Sequence, residues 1–313
     1  MGLPKNIVLA NGTLNDELIV NREILYKGMN GRFVERFYLF PSQSYVFKPL
    51  TNDGQWGKEV WVHEHILPQF PKIYPKIISF SISEKTELNW MILEDLGPLS
   101  HDFNEGSVMA VIKWLAWWHS LPVGKWGDIP LKGLKPRIEE MVSEICLKKD
   151  EFYRLLPALK VEESLIHSIF LKLNRFSFSE KQVLTHGDLH TGNFAIVDNE
   201  LKILDWEHTH LNLPHWDLFH LMDLSHPLFP KKLTSPLRER ILESYLSQVE
   251  YEVDCAAFIS EYYLFASVFS LWMILLIQKD LVNNGGKWSI EQLHTQLEET
   301  VSSLKQCASA LIL

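Results

Sequence analysis

The sequence predicts an α+β fold, with a small antiparallel sheet in about the first hundred residues and mainly helices after it. Several strand-like segments, each bounded by Gly, Asn or Pro, follow one another in the first part of the chain. From Gly97 onward, apolar residues recur at helical spacing instead. One helical segment interrupts the sheet region, and one predicted hairpin interrupts the helical region.

The sheet region contains three strand-like segments first, with the sequences EILYKG, RFVERFYLF and SYVFKPL. The segment GKEVWVHEHIL then has apolar residues at helical spacing and stops at Pro68, which predicts a helix. The mostly apolar run NWMILEDLG, residues 89–97, closes on acids and a glycine. This pattern is typical of a last buried strand that leaves the sheet.

The helical region opens with SVMAVIKWLAWWHS, for which Ser107 is the predicted N-cap. Two further helices are predicted around residues 137–148 and 161–176, and three in the last third, in SPLRERILESYL, from Asp254 onward and in SIEQLHTQLEETVSSLKQCA. The segments NFAIVD and LKILDW, with a turn at Asn199 and Glu200, predict a hairpin. One face of the first helix is apolar: Val108, Val111, Ile112 and Leu115.

Composition narrows the class of partner. The net charge is -9 and the pI is near 5.8, and there is no long Lys/Arg run, which argues against a nucleic-acid partner. A neutral or positively charged ligand fits this charge better. The cysteines are three in number and far apart, so they predict reduced core thiols and no disulfide framework: Cys146, Cys255 and Cys307.

The sequence also predicts a cytoplasmic protein with no membrane partner. The N-terminus lacks a basic start followed by an apolar block and a small-residue cleavage site. The longest apolar run, residues 262–277, is interrupted by two serines and is shorter than a bilayer span of about 20 residues. We therefore expect this run to form a buried helix.

The segment LTHGDLHTGNF, residues 184–194, carries most of the chemistry. The predicted hairpin places Asn193 at the start of one strand and Asp205 at the end of its partner, so we expect their side chains to meet. Asp188 lies beside them on a tight loop. Oxygen ligands in this arrangement suit Mg²⁺ with a phosphate-bearing substrate. The spacing from His186 to Asp188 and Asn193, followed by a hairpin and Asp205, is that of a kinase catalytic loop and its metal aspartate.

These motifs resemble one known family. HGDLHTGN together with LDWE is similar to the aminoglycoside phosphotransferase and choline kinase-like family of small-molecule kinases, in which Gly replaces the Arg of eukaryotic protein kinases between His and Asp. The resemblance includes VFKPL, KEVWVHEHIL, MILEDLG and WLAWWHSL, and it covers most of residues 25–225. It implies a protein-kinase-like two-lobe fold. Residues 1–96 would form an N-terminal nucleotide-binding lobe, and residues 97–313 a C-terminal catalytic and substrate-binding lobe.

The resemblance implies transfer of the γ-phosphoryl group of ATP, or of GTP, to a hydroxyl of a small molecule, with Mg²⁺ as cofactor. Asp188 would align the acceptor hydroxyl as a hydrogen-bond acceptor or base, and Asn193 and Asp205 would hold the metal ion. Lys48 would neutralise phosphate charge once an acid on the only helix predicted in the sheet region orients it. Glu59 is the first candidate for that acid, and Glu64 is the alternative.

The resemblance also implies a hinge between the lobes, formed by Leu93, Glu94 and Asp95. Adenine is expected to contact backbone groups of Leu93 and Asp95 that the sheet leaves unpaired, so their side chains should matter little. Asp217 resembles the acid that ties down the catalytic loop in this family. The segment YKGMNGRF, residues 26–33, lies where a phosphate-covering loop belongs, although a turn alone explains its two glycines.

The acceptor predicted from these features is a hydroxylated amine: an aminoglycoside, an amino sugar or an amino alcohol. The acidic chain gives a cation a favourable field. Glu207 is expected to point toward the acceptor, and Trp206 could present an aromatic face to an ammonium group.

Other interpretations leave parts of the pattern unexplained. A metallohydrolase site at HGDLH would give no role to Asn193, Asp205 or Lys48. His186 and His190 are expected to fix the loop and not to titrate in catalysis. A zinc site is disfavoured because no cysteines or matching acids accompany the remaining histidines, which we expect to be ordinary polar positions: His208, His210, His215, His220 and His226.

Two functional alternatives stay open. The first is a catalytically silent kinase-like protein used for binding or structure, which the intact Lys48, Asp188, Asn193 and Asp205 disfavour. The second is a protein substrate. It is disfavoured because the chain after Asp205, WEHTHLNLPHWDL, goes directly into a predicted helix without a DFG-to-APE activation segment.

Overall fold

The computed structural model describes residues 2–28, 31–50, 57–126, 129, 136–283 and 287–312. The chain forms two compact units. The first unit comprises Met1–Ser100, Asp128–Leu134 and Ala195–His210, and the second comprises His101–Gly127, Lys135–Phe194 and Leu211–Leu313. The first contains an antiparallel sheet and the second is mainly helical, as the sequence predicts. The predicted boundary between residues 96 and 97 stays a prediction about the functional lobes.

The first unit is built on a five-stranded antiparallel sheet in the order β1-β2-β3-β5-β4. One face buries Phe37, Phe47 and Ile92 in an apolar cluster. The three strands predicted first and the strand at NWMILEDLG are confirmed, whereas β4 was not predicted. Its bounds and those of its neighbours are β1 Asn21–Lys27, β2 Phe33–Phe40, β3 Gln43–Pro49, β4 Ile77–Ser81 and β5 Trp90–Glu94.

Helix α1, Lys58–His65, is the helix predicted inside the sheet region. It packs through Val60 against Met91 and Leu93 of β5, in a cluster that also contains Leu50. A short 3-10 helix, Leu67–Gln69, follows it, as expected where Pro68 ends the regular helix. The packing of Val60 fixes which face of α1 is turned toward the sheet.

The predicted hairpin consists of β7, Phe194–Val197, and β8, Glu200–Ile203. Its turn lies at Asp198 and Asn199, with φ of 50° and 63°, one residue before the predicted position. Two-residue hairpin turns favour positive φ at both central residues, and Asp and Asn tolerate this conformation. The amide of Ile203 donates a hydrogen bond of 2.5 Å to the carbonyl of Ile73, which fixes β8 to the rest of the first unit.

The second unit contains eight α-helices among its described residues, and one of these, α4, was not predicted. Short strands precede and follow the hairpin: β6, Val183–Thr185, and β9, His210–Asn212. The helices are α2 Glu105–His119, α3 Ile138–Leu147, α4 Lys149–Leu159, α5 Glu163–Leu173, α6 His215–Met222, α7 Ser235–Leu246, α8 Cys255–Val282 and α9 Ile290–Ala310.

The N-cap predicted for α2 is wrong. Asn104 caps the helix, and its side chain accepts a hydrogen bond of 3.0 Å from the amide of Ser107, while the Ser107 hydroxyl accepts one from the amide of Asn104. This reciprocal capping box places Ser107 inside the first turn. The predicted apolar face is fully buried: Val108, Val111, Ile112 and Leu115.

Helix α8 contains the long apolar run and packs along α9. Among the described residues it is the one helix whose length and composition would allow a membrane span, and 56% of its most apolar window is buried within the protein. Residues 261–271 are buried without interruption. This burial agrees with the expectation of a buried helix.

The prediction of three core thiols is wrong for two of them. All three cysteines are free, but only Cys307 is buried, whereas Cys146 and Cys255 are exposed. Cys255 is the first residue of α8 and Cys146 lies near the end of α3, where a side chain can face solvent.

Candidate active site

The loop that carries Asp188 leaves β6 and is held by Asp217 of α6. One Asp217 oxygen, Oδ2, accepts a hydrogen bond of 2.7 Å from the amide of His186, and Oδ1 accepts one of 2.9 Å from the amide of Gly187. Gly187 has φ of 86°, a conformation that favours glycine. The side chain of Asp217 therefore fixes the loop in the way that the family resemblance implies.

One further contact holds the loop, and another holds the side chain of Asp217. The indole of Trp216 donates a hydrogen bond of 3.0 Å to the carbonyl of Gly187, and Nε2 of His119 lies 3.3 Å from Oδ2 of Asp217. Burial opposes ionisation of Asp217, but the bonds from His119 and from the Gly187 amide hold its pKa below the usual range. The carboxylate is therefore ionised and keeps accepting from the loop amides.

Polar side chains of the second unit lie close to the carboxylate of Asp188. Its Oδ2 lies 3.7 Å from Nε2 of His190, and its Oδ1 lies 4.0 Å from Nε2 of His220. The amide nitrogen of Asn193 donates a hydrogen bond of 2.7 Å to the Asp188 carbonyl and lies 3.5 Å from Oδ2. The side-chain nitrogen of Asn193, Nδ2, thus faces Asp188. The side-chain oxygen of Asn193, Oδ1, is the atom that could bind a cation.

The two histidines of the loop accept backbone hydrogen bonds. Nδ1 of His186 accepts from the amide of Asp188 at 3.2 Å, and Nδ1 of His190 accepts from the amide of Gly192 at 3.0 Å. Burial lowers the pKa of His190 to about 3, so its ring is neutral. These contacts agree with the expectation that both histidines fix the loop.

The first unit places Lys48 between two carboxylates. Its Nζ lies 2.6 Å from Oε2 of Glu59 and 2.8 Å from Oδ1 of Asp205. Burial would lower the pKa of Lys48, but the negative charges of Asp205 and Glu59 raise it above its usual value, so the ammonium is retained. Glu64, the alternative partner, is exposed.

Asp205 follows β8 in the left-handed conformation, with φ of 60°, and begins a short 3-10 helix, Trp206–His208. This turn brings the side chain of Glu207 close to those of Asp205 and Glu59. The carboxylates of Glu59, Asp205 and Glu207 offer oxygen atoms that all lie within 4.8 Å of one another. Burial and these neighbouring charges raise the pKa of Glu59. Hard oxygen donors at this spacing fit Mg²⁺ chemically.

The predicted residues thus form two groups, one in each unit. Asp188 and Asn193 lie together in the second unit, and Lys48, Glu59 and Asp205 lie together in the first. The predicted meeting of Asn193 and Asp205 at one metal ion stays a prediction.

A comparison of the sequence with models of protein families identifies the family of this chain. Residues 75–257, more than half of the chain, match the sequence model of APH, the phosphotransferase enzyme family. The chain belongs to this phosphotransferase family. Membership confirms the resemblance inferred from HGDLHTGN and LDWE, and it supports small-molecule phosphotransferase activity. None of the curated protein sequences matched the chain.

Several solved structures have a fold similar to that of this chain. Choline kinase LicA from Streptococcus pneumoniae is 19% identical, with a TM-score of 0.54 over 91% of this chain and 93% of that one. The spectinomycin phosphotransferase APH(9)-Ia, solved with ADP and spectinomycin, is 16% identical, with a TM-score of 0.57 over 92% and 94%. The GDP and kanamycin complex of APH(2″)-IIia is also 16% identical, with a TM-score of 0.59 over 91% and 94%. These likenesses confirm the predicted protein-kinase-like α+β fold.

Trp206 of this phosphotransferase family member cannot have the role suggested for it. Its side chain is fully buried, with its indole nitrogen donating to the carbonyl of Ile203 at 3.2 Å. The ring of Phe70 packs edge-on against it, with the centroids 5.5 Å apart. The prediction that Trp206 could present a face to an ammonium group is therefore wrong. Glu207, expected to point toward an acceptor, lies beside Asp205 and Glu59.

Two of the predicted hinge residues pair with neighbouring segments through their backbone more than expected. Leu93 pairs in register with Val46 and with Ile77, and the amide of Glu94 donates to the carbonyl of Lys76 at 2.9 Å. The contact of Leu93, Glu94 and Asp95 with adenine stays a prediction.

The side chain of Asp95 has a structural role that was not predicted. It accepts hydrogen bonds from Nε of Arg36 at 2.6 Å and from the hydroxyl of Ser44 at 2.6 Å. Burial opposes its ionisation, but these bonds lower its pKa below the usual value. The end of β5 is therefore tied to β2 and β3, whereas the expectation that this side chain matters little for adenine contact stays a prediction.

The candidate phosphate loop, residues 26–33, is only partly defined. It includes Met29 and Asn30, which lie outside the described residues.

The histidines considered for a zinc site have separate neighbours. For example, Nδ1 of His220 donates to the carbonyl of Trp216 at 2.8 Å, while His215 packs on Phe258. Among the described residues, the one cluster suited to a metal ion contains no histidine.

Proposed function

We propose that the chain is an ATP-dependent small-molecule kinase that uses Mg²⁺ and transfers the γ-phosphoryl group to a hydroxyl of its acceptor. Family membership supports phosphotransferase chemistry. The observation that carries the finer proposal is the position of Lys48, whose ammonium lies between Glu59 and Asp205. A cation fixed in this way, next to a carboxylate suited to Mg²⁺, is what binding and neutralising nucleotide phosphates requires.

The residues have separate roles in this proposal. Glu59 holds the Lys48 ammonium so that it can contact phosphate oxygens. Asp205 and Asn193 would hold Mg²⁺, which supplies charge neutralisation when bound. The backbone at Leu93, Glu94 and Asp95 would contact the adenine.

Asp188 acts on the acceptor. Its carboxylate accepts the hydrogen bond of the acceptor hydroxyl and takes the proton as the oxygen forms its bond to the γ-phosphorus. The bond between the γ-phosphorus and the β–γ bridging oxygen breaks, and the nucleoside diphosphate leaves. The anchoring of the loop by Asp217 keeps Asp188 in one position during this step.

For the acceptor, we keep the class of hydroxylated amines: an aminoglycoside, an amino sugar or an amino alcohol. The net charge of -9 supports this class. Several structural neighbours carry names that include spectinomycin, kanamycin or choline. Trp206 no longer supports the class, and Glu207 does so only if it reaches the acceptor from its place beside Asp205.

The test is an assay of acceptor-dependent nucleoside diphosphate release with ATP or GTP, Mg²⁺ and a panel of amine and neutral alcohols. We expect turnover that requires an acceptor and is abolished by EDTA and by Asp188→Asn. Glu207→Gln, compared across amine and neutral acceptors, shows whether this acid recognises the amine.

The alternative is a catalytically silent kinase-like protein for binding or structure. It would be favoured by tight nucleotide binding without turnover of any acceptor in the panel. A cytoplasmic location also stays a prediction, and it suits an enzyme that consumes ATP.

A further inference from the structure

Strand β4 is one of the two outer strands of the sheet in the first unit. It pairs with β5 on one side, and among the described residues no strand pairs with its other side. A free edge of this kind presents unpaired backbone amide and carbonyl groups, to which another strand can bind. We call residues 76–84, which contain β4, the edge segment.

Exposure alternates along the edge segment. Every second residue is exposed and the residues between them are half-buried, as in a strand with one face toward solvent. Three of the exposed residues are apolar, with exposed fractions of 38% for Ile78, 41% for Phe80 and 39% for Ile82. Lys76 and Glu84 are the exposed residues at the two ends. The exposed face is therefore an apolar strip with a positive charge at one end and a negative charge at the other.

This pattern is symmetric about Phe80. When two copies of the edge segment lie antiparallel with Phe80 opposite Phe80, Ile78 of each copy lies opposite Ile82 of the other. Lys76 of each copy then lies opposite Glu84 of the other, so the two-fold symmetry forms this pair of opposite charges twice. Facing apolar residues and facing opposite charges both stabilise neighbouring strands. The edge segment is thus complementary to a second copy of itself.

The two terminal charges are available for such a contact. Neither Lys76 nor Glu84 forms an ion pair with another residue that the structure describes. On β1, the other outer strand, Glu23 accepts a hydrogen bond of 3.0 Å from the hydroxyl of Tyr38 and lies 3.5 Å from Nη1 of Arg36. The charge of Glu23 is therefore used within the chain, which favours β4 over β1 as the pairing edge.

The pairing of β4 with β5 contains a bulge. The register shifts between Ile77 and Ser79, so Ile78 has no residue directly opposite it on β5. The extra residue of a bulge is left out of the hydrogen-bond pattern, and the bulge increases the twist of its strand. The backbone of Ile78 can therefore bond to another strand, while the twist keeps the paired segment short. A short paired segment is expected to form a reversible contact.

From this geometry we propose that β4 pairs antiparallel with β4 of a second copy of the chain, with Phe80 opposite Phe80, and joins two five-stranded sheets into one. The contact uses the same strand of both copies, so it closes at a dimer. It covers the apolar strip and the free backbone edge together. Phe80 lies opposite Met91 of β5, which lies opposite Lys48 of β3, so the contact is two strands away from Lys48. The proposal is independent of the kinase function proposed above.

The first test measures the oligomeric state by sedimentation velocity over a range of chain concentrations. We expect a species of twice the 36.4 kDa chain mass, whose fraction rises with concentration. Phe80→Lys should raise the Kd of the dimer at least about 10-fold, because it removes two facing rings and places like charges opposite each other. Ile24→Lys, at an exposed apolar residue of β1, is the matched control and should change this Kd less than about 3-fold. A monomer at every concentration, or an equal effect of Ile24→Lys, would overturn the proposal.

The second test reverses the terminal charges. Lys76→Glu alone and Glu84→Lys alone should each raise the Kd of the dimer at least about 3-fold, since like charges then face each other across the two strands. The double variant should return the Kd to within about 2-fold of the wild-type value. A dimer in another register would show no such recovery, and that result would contradict the proposal. If thermal melting shows that Phe80→Lys does not fold, the charge variants decide, because both side chains are exposed.

Discussion

The ammonium of Lys48 lies 2.6 Å from Oε2 of Glu59, whereas Glu64, further along the same helix, faces solvent. The side chain of Glu59 is 3% exposed, so removing its charge leaves Lys48 held from one side only. A lysine that shifts by about 1 Å from productive geometry is enough to slow phosphoryl transfer by roughly 10²-fold.

We therefore expect Glu59→Gln to lower kcat/KM for ATP by about 10²-fold and Glu64→Gln by less than about 3-fold. Steady-state kinetics with varied ATP and a saturating acceptor measure both values. Thermal melting of each variant controls for loss of folded protein. If Glu64→Gln were the more damaging change, the role assigned to Glu59 would be wrong.

Asp188 and Asp205 should fail in different ways when they are changed. Asp188→Asn should reduce transfer by at least about 10²-fold and leave the affinity for ATP with Mg²⁺ nearly unchanged, because the acid acts on the acceptor. Asp205→Ala should weaken nucleotide binding in Mg²⁺ and have a smaller effect when EDTA is present. Calorimetry measures binding, and the acceptor-dependent assay measures transfer. Identical behaviour of the two variants in both assays would contradict this division of roles.

What could be predicted from the sequence depends on how far apart the interacting residues are. The loop at Asp188 was predictable because its residues are contiguous and their spacing is specific. The ion pair of Lys48 with Glu59 was predictable from the family resemblance, which left Glu64 as the alternative partner. The bond of Arg36 to Asp95 was not, since no local pattern pairs residues on β2 and after β5.

Side-chain direction was harder to predict than position. Asp205 has φ of 60°, and the turn that follows it sends Trp206 into the core and Glu207 back toward Glu59. A left-handed aspartate is not recognisable from composition or periodicity, because Asp adopts this conformation only where the surrounding structure requires it.

The buried side chain of His215 should make the free energy of unfolding depend on pH. Its ring packs on Phe258 with centroids 4.3 Å apart, its Nδ1 is buried without a hydrogen-bond partner among the described residues, and Glu261 lies 3.8 Å away. Burial lowers the pKa of His215 to about 3. In the unfolded chain the pKa is about 6.5. Between these values the unfolded state binds more protons, so the free energy of unfolding decreases as the pH falls below about 6.5.

This one group should remove about 2 kcal/mol of stability at pH 5 relative to pH 8. We expect urea unfolding of His215→Phe to show a smaller loss over that range, by roughly this amount, whatever its stability at pH 8. His294→Asn, at an exposed position on α9, is the control and should leave the pH dependence unchanged. A pH dependence in His215→Phe equal to that of the wild type would mean that His215 is protonated in the folded state.

The ring of Phe229 lies directly on Gly192, in the loop that carries Asp188. A Cβ atom at Gly192 would overlap Cε2 of Phe229 and would come 2.8 Å from Cε1 of His190. The backbone of Gly192 has no positive φ, so the close approach of these rings, and not backbone conformation, requires glycine here.

Gly192→Ala should therefore destabilise the protein by about 1–3 kcal/mol, as overpacking of a well-filled site does. Adding Phe229→Leu should recover part of that loss, with a coupling energy of at least about 0.5 kcal/mol in a double-mutant cycle measured by urea unfolding. Recovery should be incomplete because the contact with His190 remains. Gly124→Ala is the matched control, since nothing lies within 4 Å of the added Cβ, and it should change stability by less than about 0.5 kcal/mol. Additive effects of Gly192→Ala and Phe229→Leu would show that the two residues are not in contact in solution.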